Sequence, residues 1–141
     1  MPTVYLTRTV QFAAAHRYFR PEWSHERNTE TFGACASPHG HGHTYRCRVT
    51  VQGRPDPQTA MVADLHAVDR ILQEEVVARY DHRHLNLDCA EFAYGQTVPT
   101  GEALCLEIWR RVAARLPAGC VLAAVRVEED PALWAEYRGE A

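Results

Sequence analysis

The stretch from Cys35 to Tyr45, CASPHGHGHTY, places His39, His41 and His43 at alternate positions, with a cysteine upstream. In an extended chain, residues two apart point the same way, about 6.6–6.8 Å apart along the backbone. Imidazoles at that spacing can lean onto one metal ion. His16 closes another extended run, and three histidines with an open fourth position are the usual form of catalytic zinc. From the residues alone the register stays open: the pair His39 and His41 competes with His41 and His43, since all three share one phase. Cys35 is free to complete a closed four-ligand site or to stand beside the ion. The plain alternative is a solvated histidine tract. Against it stands the cost of an unliganded polar ring in an apolar phase.

Two strands must carry this cluster. Val4, Leu6, Val10 and Phe12 share one parity, Thr7, Thr9 and Gln11 the other, and Ala14 and His16 continue the apolar phase. Tyr45, Cys47, Val49 and Val51 alternate with Thr44, Arg46, Arg48, Thr50 and Gln52, and His41 and His43 fall on that apolar face. If the strands pair as a hairpin, the end of the first meets the start of the second. Residues 17–34 are polar and aperiodic and read as a long loop. GRPDPQ at 53–58 is a turn by composition.

Asp64 caps a helix with the stripe Leu65, Val68, Leu72 and Val76, which fades near Tyr80 into the connector DHRHLNLD. Thr100 caps a second, with the stripe Leu104, Ile108, Val112 and Leu116. Residues 121–127 and 133–137 supply the last strands. The order β-β-α-α-β-β separates strands from helices. It predicts an α+β fold, a four-stranded antiparallel sheet with two helices on one face.

The length of 141 residues is that of a single domain, 1–141, and 46% hydrophobic residues are enough for a core without staples. A net charge of −3 without a basic stripe argues against a nucleic-acid partner. No run reaches the roughly 20 apolar residues of a membrane helix, and MPTVYLTRTV lacks the apolar core of a signal peptide. The five cysteines, Cys35, Cys47, Cys89, Cys105 and Cys120, form no CxxC pair. Free thiols in a reducing cytoplasm are expected.

Five blocks together carry a specific resemblance: QFAAAH at 11–16, CASPHGHGHTYRCRVTVQG at 35–53, YDHRHLN at 80–86, PTGE at 99–102, and VRVEED at 125–130 followed by YRGE. In order and spacing the chain resembles the 6-pyruvoyltetrahydropterin synthase and 6-carboxytetrahydropterin synthase family over nearly its whole length. The resemblance implies the tunnelling fold, with trimers whose sheets join into a barrel, a homo-hexamer made as a dimer of trimers, and active sites between subunits. It implies Zn2+ on His16, His41 and His43, which settles the register and leaves His39 outside. It implies Cys35 as catalytic base, Asp81 and His82 as a proton relay, Glu129 as the anchor for the pterin's ring NH and amino group, and Glu102 as a weaker pterin contact.

The family substrate is 7,8-dihydroneopterin triphosphate, a small-molecule pterin. In the pyruvoyl type the cysteine lies six residues before the first histidine of HGH, as Cys35 does before His41; in most carboxy synthases it lies four before. The implied activity is a zinc-dependent lyase that eliminates triphosphate and forms 6-pyruvoyltetrahydropterin. The alternative is the 6-carboxytetrahydropterin synthase of queuosine and deazapurine biosynthesis, which releases acetaldehyde. A third reading is a non-catalytic zinc module closed by Cys35. The chain departs from the family pattern at Thr44 and Ala103, where asparagine is usual, and neither change removes a reacting group. Arg17, Arg20 and Arg27 are candidate cations for the triphosphate.

Overall fold

The structure is a computed structural model and describes residues 2–140. Its frame is the pair β1 (Val4–His16) and β2 (His41–Gly53), antiparallel along their whole length from Val4 opposite Gly53 to His16 opposite His41. The expected meeting of the two strand ends is therefore met. One face of the pair buries Phe12, Ala14, Tyr45, Cys47, Val49 and Val51, the residues of the apolar parity. Phe12 stacks on Tyr45 at 4.7 Å between ring centroids and tilts against Tyr80 at 5.5 Å.

The connection between these strands is not a plain loop. It holds α1 (His25–Phe32), capped by Ser24, whose hydroxyl accepts from the Arg27 backbone N–H at 3.0 Å, and then a 3-10 turn, Gly33–Ala36. α1 buries Asn28 and has no apolar stripe, so periodicity gave no sign of it.

Helix α2 (Leu65–Leu72) starts at Asp64, which accepts from the His66 N–H as expected of a cap. It runs through a π turn, Gln73–Val77, into α3 (Ala78–Tyr80). The wide turn adds a residue without losing the apolar face: Val68, Ile71, Leu72, Val76 and Tyr80 are all buried. After a short strand, β3 (Arg83–His84), comes the helical turn α4 (Leu85–Asp88). Thr100 caps α5 (Gly101–Ala113), which buries Leu104, Cys105, Ile108 and Val112 against the sheet. β4 (Cys120–Asp130) and β5 (Leu133–Tyr137) complete the fold. Burying each Leu, Ile or Val of this core contributes about 1.5–3 kcal/mol.

The four-stranded antiparallel sheet must be corrected. The sheet has five strands in the order β3-β1-β2-β4-β5, and β3 runs parallel to β1, with Ala14 opposite Arg83 and Ala15 opposite His84. Two residues are too few to show a period. What pins them is the preceding turn: the His82 N–H donates to the Ala13 carbonyl at 2.6 Å, and the Ala13 N–H donates to Asp81 Oδ1 at 2.8 Å. The sheet face away from α5 is polar, with Thr7, Thr9, Gln11 and Arg46 exposed.

Candidate metal centre and adjoining cleft

The register of β1 and β2 sets His16 opposite His41 and Ala14 opposite His43. The three rings converge, with centroids 4.8, 5.1 and 4.9 Å apart, and one ring nitrogen from each lies within 4.8 Å of the others. His16 Nε2 and His41 Nε2 are 3.2 Å apart. Two nitrogens bound tetrahedrally to zinc at about 2.0–2.1 Å stand about 3.3 Å apart. The His16–His41 pair already stands at that spacing, and the His43 ring lies close enough for the donor set to suit a divalent ion. His39 is exposed and outside the group.

His16 is fully buried, and its Nδ1 lies 2.8 Å from the hydroxyl of the fully buried Tyr45. With Nε2 turned to the cluster, Nδ1–H donates to Tyr45 and fixes the ring as a ligand needs. Burial, then the neighbouring His41 and His43, lower the His16 pKa from 6.5 to about 3. Burial and His43 also lower that of His41. Both rings are therefore held neutral, the form that binds metal. Gly40 makes this packing possible. Its φ is +67°, and a Cβ there would lie 2.5 Å from the His16 carbonyl oxygen.

Beside the histidines lies a cleft of about 290 Å3, lined among others by Tyr18, Cys35, Thr100, Glu102, Glu129 and Trp134. Glu129 is buried near the end of β4. Its Oε1 accepts from the Tyr18 hydroxyl at 2.9 Å, and its Oε2 is 3.9 Å from His43 Nε2. Cys35, half-buried on the 3-10 turn, is not among the grouped ligands. Burial and then the Glu129 charge raise its pKa. Neither cause is a cation of the kind that favours the thiolate.

The model of the family described as 6-pyruvoyl tetrahydropterin synthase matches residues 5–140. The chain belongs to this family. It is 38% identical over 136 residues to the 6-pyruvoyl tetrahydrobiopterin synthase of Poecilia reticulata, covering 96% of this chain and 90% of that one. To the human protein of the same name it is 37% identical, covering 96% and 91%. The solved structure of Caenorhabditis elegans 6-pyruvoyl tetrahydropterin synthase is similar at a TM-score of 0.91 and 34% identity, covering 99% and 98%. As a family member the chain is a lyase. Among the described residues no helix is long and apolar enough to cross a membrane.

Within this synthase-family frame, the residues singled out from sequence fall in two places. His16, His41, His43, Cys35, Glu129 and Glu102 gather at the metal group and cleft. Asp81 and His82 do not line that cleft. They sit at the β3 edge, facing each other at 3.6 Å between His82 Nε2 and Asp81 Oδ2. His82 takes a left-handed φ of +59°, and its side chain is 84% exposed. The three arginines are engaged locally: Arg17 donates to the Ala36 carbonyl, Arg20 pairs with Glu22, and Arg27 lies 3.9 Å over the Trp23 ring.

Sequence reasoning missed Tyr18, Tyr45 as the partner of His16, and Trp134, whose ring carries the Arg126 guanidinium at 3.9 Å. For Tyr45 a signal existed, a tyrosine in the strand phase of two histidines. Tyr18 likewise lies two residues after His16, but beyond the end of the strand pattern.

Proposed function

We propose that this enzyme is a zinc-dependent lyase that converts 7,8-dihydroneopterin triphosphate to 6-pyruvoyltetrahydropterin with elimination of triphosphate. The observation that carries the reading is the adjacency of a three-histidine group to a cleft holding a thiol and a buried carboxylate. The spacing of Cys35 before His41 and the names of the curated relatives support the pyruvoyl product over the carboxy product.

Each residue then has a task. His16, His41 and His43 hold zinc, which when bound supplies Lewis-acid stabilisation of negative charge on the substrate's side-chain oxygens. Glu129 accepts two parallel hydrogen bonds from the pterin's ring N–H and amino group, each worth roughly 1.5–3 kcal/mol. Those donors also offset the Glu129 charge, which after burial is the second cause that raises the Cys35 pKa. Cys35 removes a proton from a side-chain carbon, and Glu102 borders the ring. His82, oriented by Asp81, returns or accepts a proton near that side chain.

The last task needs a second copy. The cleft lies by β5, through Trp134 and Ala135, whereas Asp81 and His82 lie at the β3 edge, the far side of the sheet. Joining the β5 edge of one copy to the β1–β3 edge of the next removes both open edges and carries the pair toward the neighbour's cleft. We infer a ring of three copies, stacked in pairs as a hexamer.

Incubating zinc-loaded protein with 7,8-dihydroneopterin triphosphate tests the reading. Triphosphate release with a pyruvoyl product is expected. Acetaldehyde would point to the carboxy synthase, and intact substrate would refute both.

A further inference from the structure

Tyr18 touches three parts of this centre. Its hydroxyl donates to Glu129 Oε1 at 2.9 Å. Its ring lies against the His16 ring, with centroids 4.6 Å apart, and is backed edge-on by Phe32 at 6.0 Å. Its backbone N–H donates to the Cys35 carbonyl at 2.8 Å. One residue therefore bonds the carboxylate, packs on a metal-ligand ring and fixes the turn that presents the thiol.

We infer that Tyr18 is a positioning residue for substrate-ring recognition: its phenol holds the Glu129 carboxylate in the one orientation that leaves acceptor sites open to the cleft. The inference rests on the proposed function of that cleft. A carboxylate oxygen has two lone-pair directions, and the phenol takes one of those on Oε1. The rest of Oε1 and all of Oε2 stay available to paired N–H donors on a ring. Without the phenol, the carboxylate is free to rotate toward His43, whose Nε2 is already 3.9 Å from Oε2. The contact to His16 and the N–H to Cys35 make Tyr18 a strut between the ring-binding and reacting ends of the cleft.

Tyr18→Phe separates these roles, because it keeps the ring and the backbone N–H and removes only the hydroxyl. The zinc-loaded variant should raise KM for 7,8-dihydroneopterin triphosphate about tenfold, with kcat reduced less than threefold and metal content unchanged. Neopterin, the oxidised ring without phosphates, should bind more weakly by the same factor in a fluorescence titration. In a Glu129→Gln background the added Tyr18→Phe change should have little further effect on neopterin binding, since the phenol acts through that carboxylate. Unchanged KM and neopterin affinity in Tyr18→Phe, with wild type active, would overturn the inference alone. Additive losses in the double variant would also overturn it. A wild-type protein that neither binds neopterin nor turns over substrate would overturn the proposed function and this inference together.

Discussion

At the β1–β2 end, three imidazoles meet on strand positions that the register fixes, one fully buried and bonded to Tyr45. At the β3 edge, His82 is held by its backbone, its side chain is 84% exposed, and its polar neighbour is Asp81 at 3.6 Å. Both regions carry histidines, yet the first is complete within one chain and the second presents its chemistry outward. A ligand set needs fixed distances, which burial and sheet register provide. On the proposed function, a relay that serves a neighbouring copy needs an exposed surface such as this one.

The strongest way to break the comparison is at the metal. His16→Ala should lower metal affinity by more than about a hundredfold, beyond the 10–100-fold typical of losing an outer partner, and abolish turnover. Cys35→Ala should keep metal and fold and lose turnover, as read by metal analysis beside activity. A Cys35→Ala protein that also lost its metal would favour a closed structural site.

The relay comes next. His82→Ala should cost about 10²–10⁴ in kcat, the range of general acid–base groups, with metal content unchanged. Mixing Cys35→Ala and His82→Ala chains after unfolding and refolding together should restore about a quarter of wild-type activity, by random pairing across a shared interface. No recovery, with mixed oligomers verified, would place the relay within one chain.

Smaller effects follow at Tyr45 and in pH. Tyr45→Phe should weaken metal binding about tenfold by freeing the His16 ring. In metal-free protein, His16 refuses a proton until about pH 3, mainly through burial, whereas the unfolded imidazole titrates near 6.5. Below about 6.5 the unfolded state therefore binds the extra proton, and stability is lost as pH falls toward 3, by at most about 1.4 kcal/mol per pH unit. Urea midpoints across that window should show the slope, and His16→Gln should reduce it.

The long elements were legible because each buries one face: the period of two in β1 and β2 and the caps Asp64 and Thr100 all stand in the structure. The convergence of His16 with His41 followed from the same parity. α1 was hidden because its buried residue is Asn28, a polar side chain satisfied by Arg20 and Ser24 backbone groups. β3 was hidden because backbone bonds to Ala13, not apolar faces, hold it. Tyr18 was hidden for a third reason: the carboxylate it bonds lies far along the chain, and only the folded sheet brings Glu129 beside it.

The π turn at Gln73–Val77 sets the angular phase of everything that follows it. Deleting one residue there would restore a regular helix and rotate the downstream chain by about 100°. Asp81 would swing off the Ala13 amide, and the turn that ends in His82 would lose its foothold on β1. A single extra residue, distant from the histidine group, thus acts as the protractor for the β3 edge.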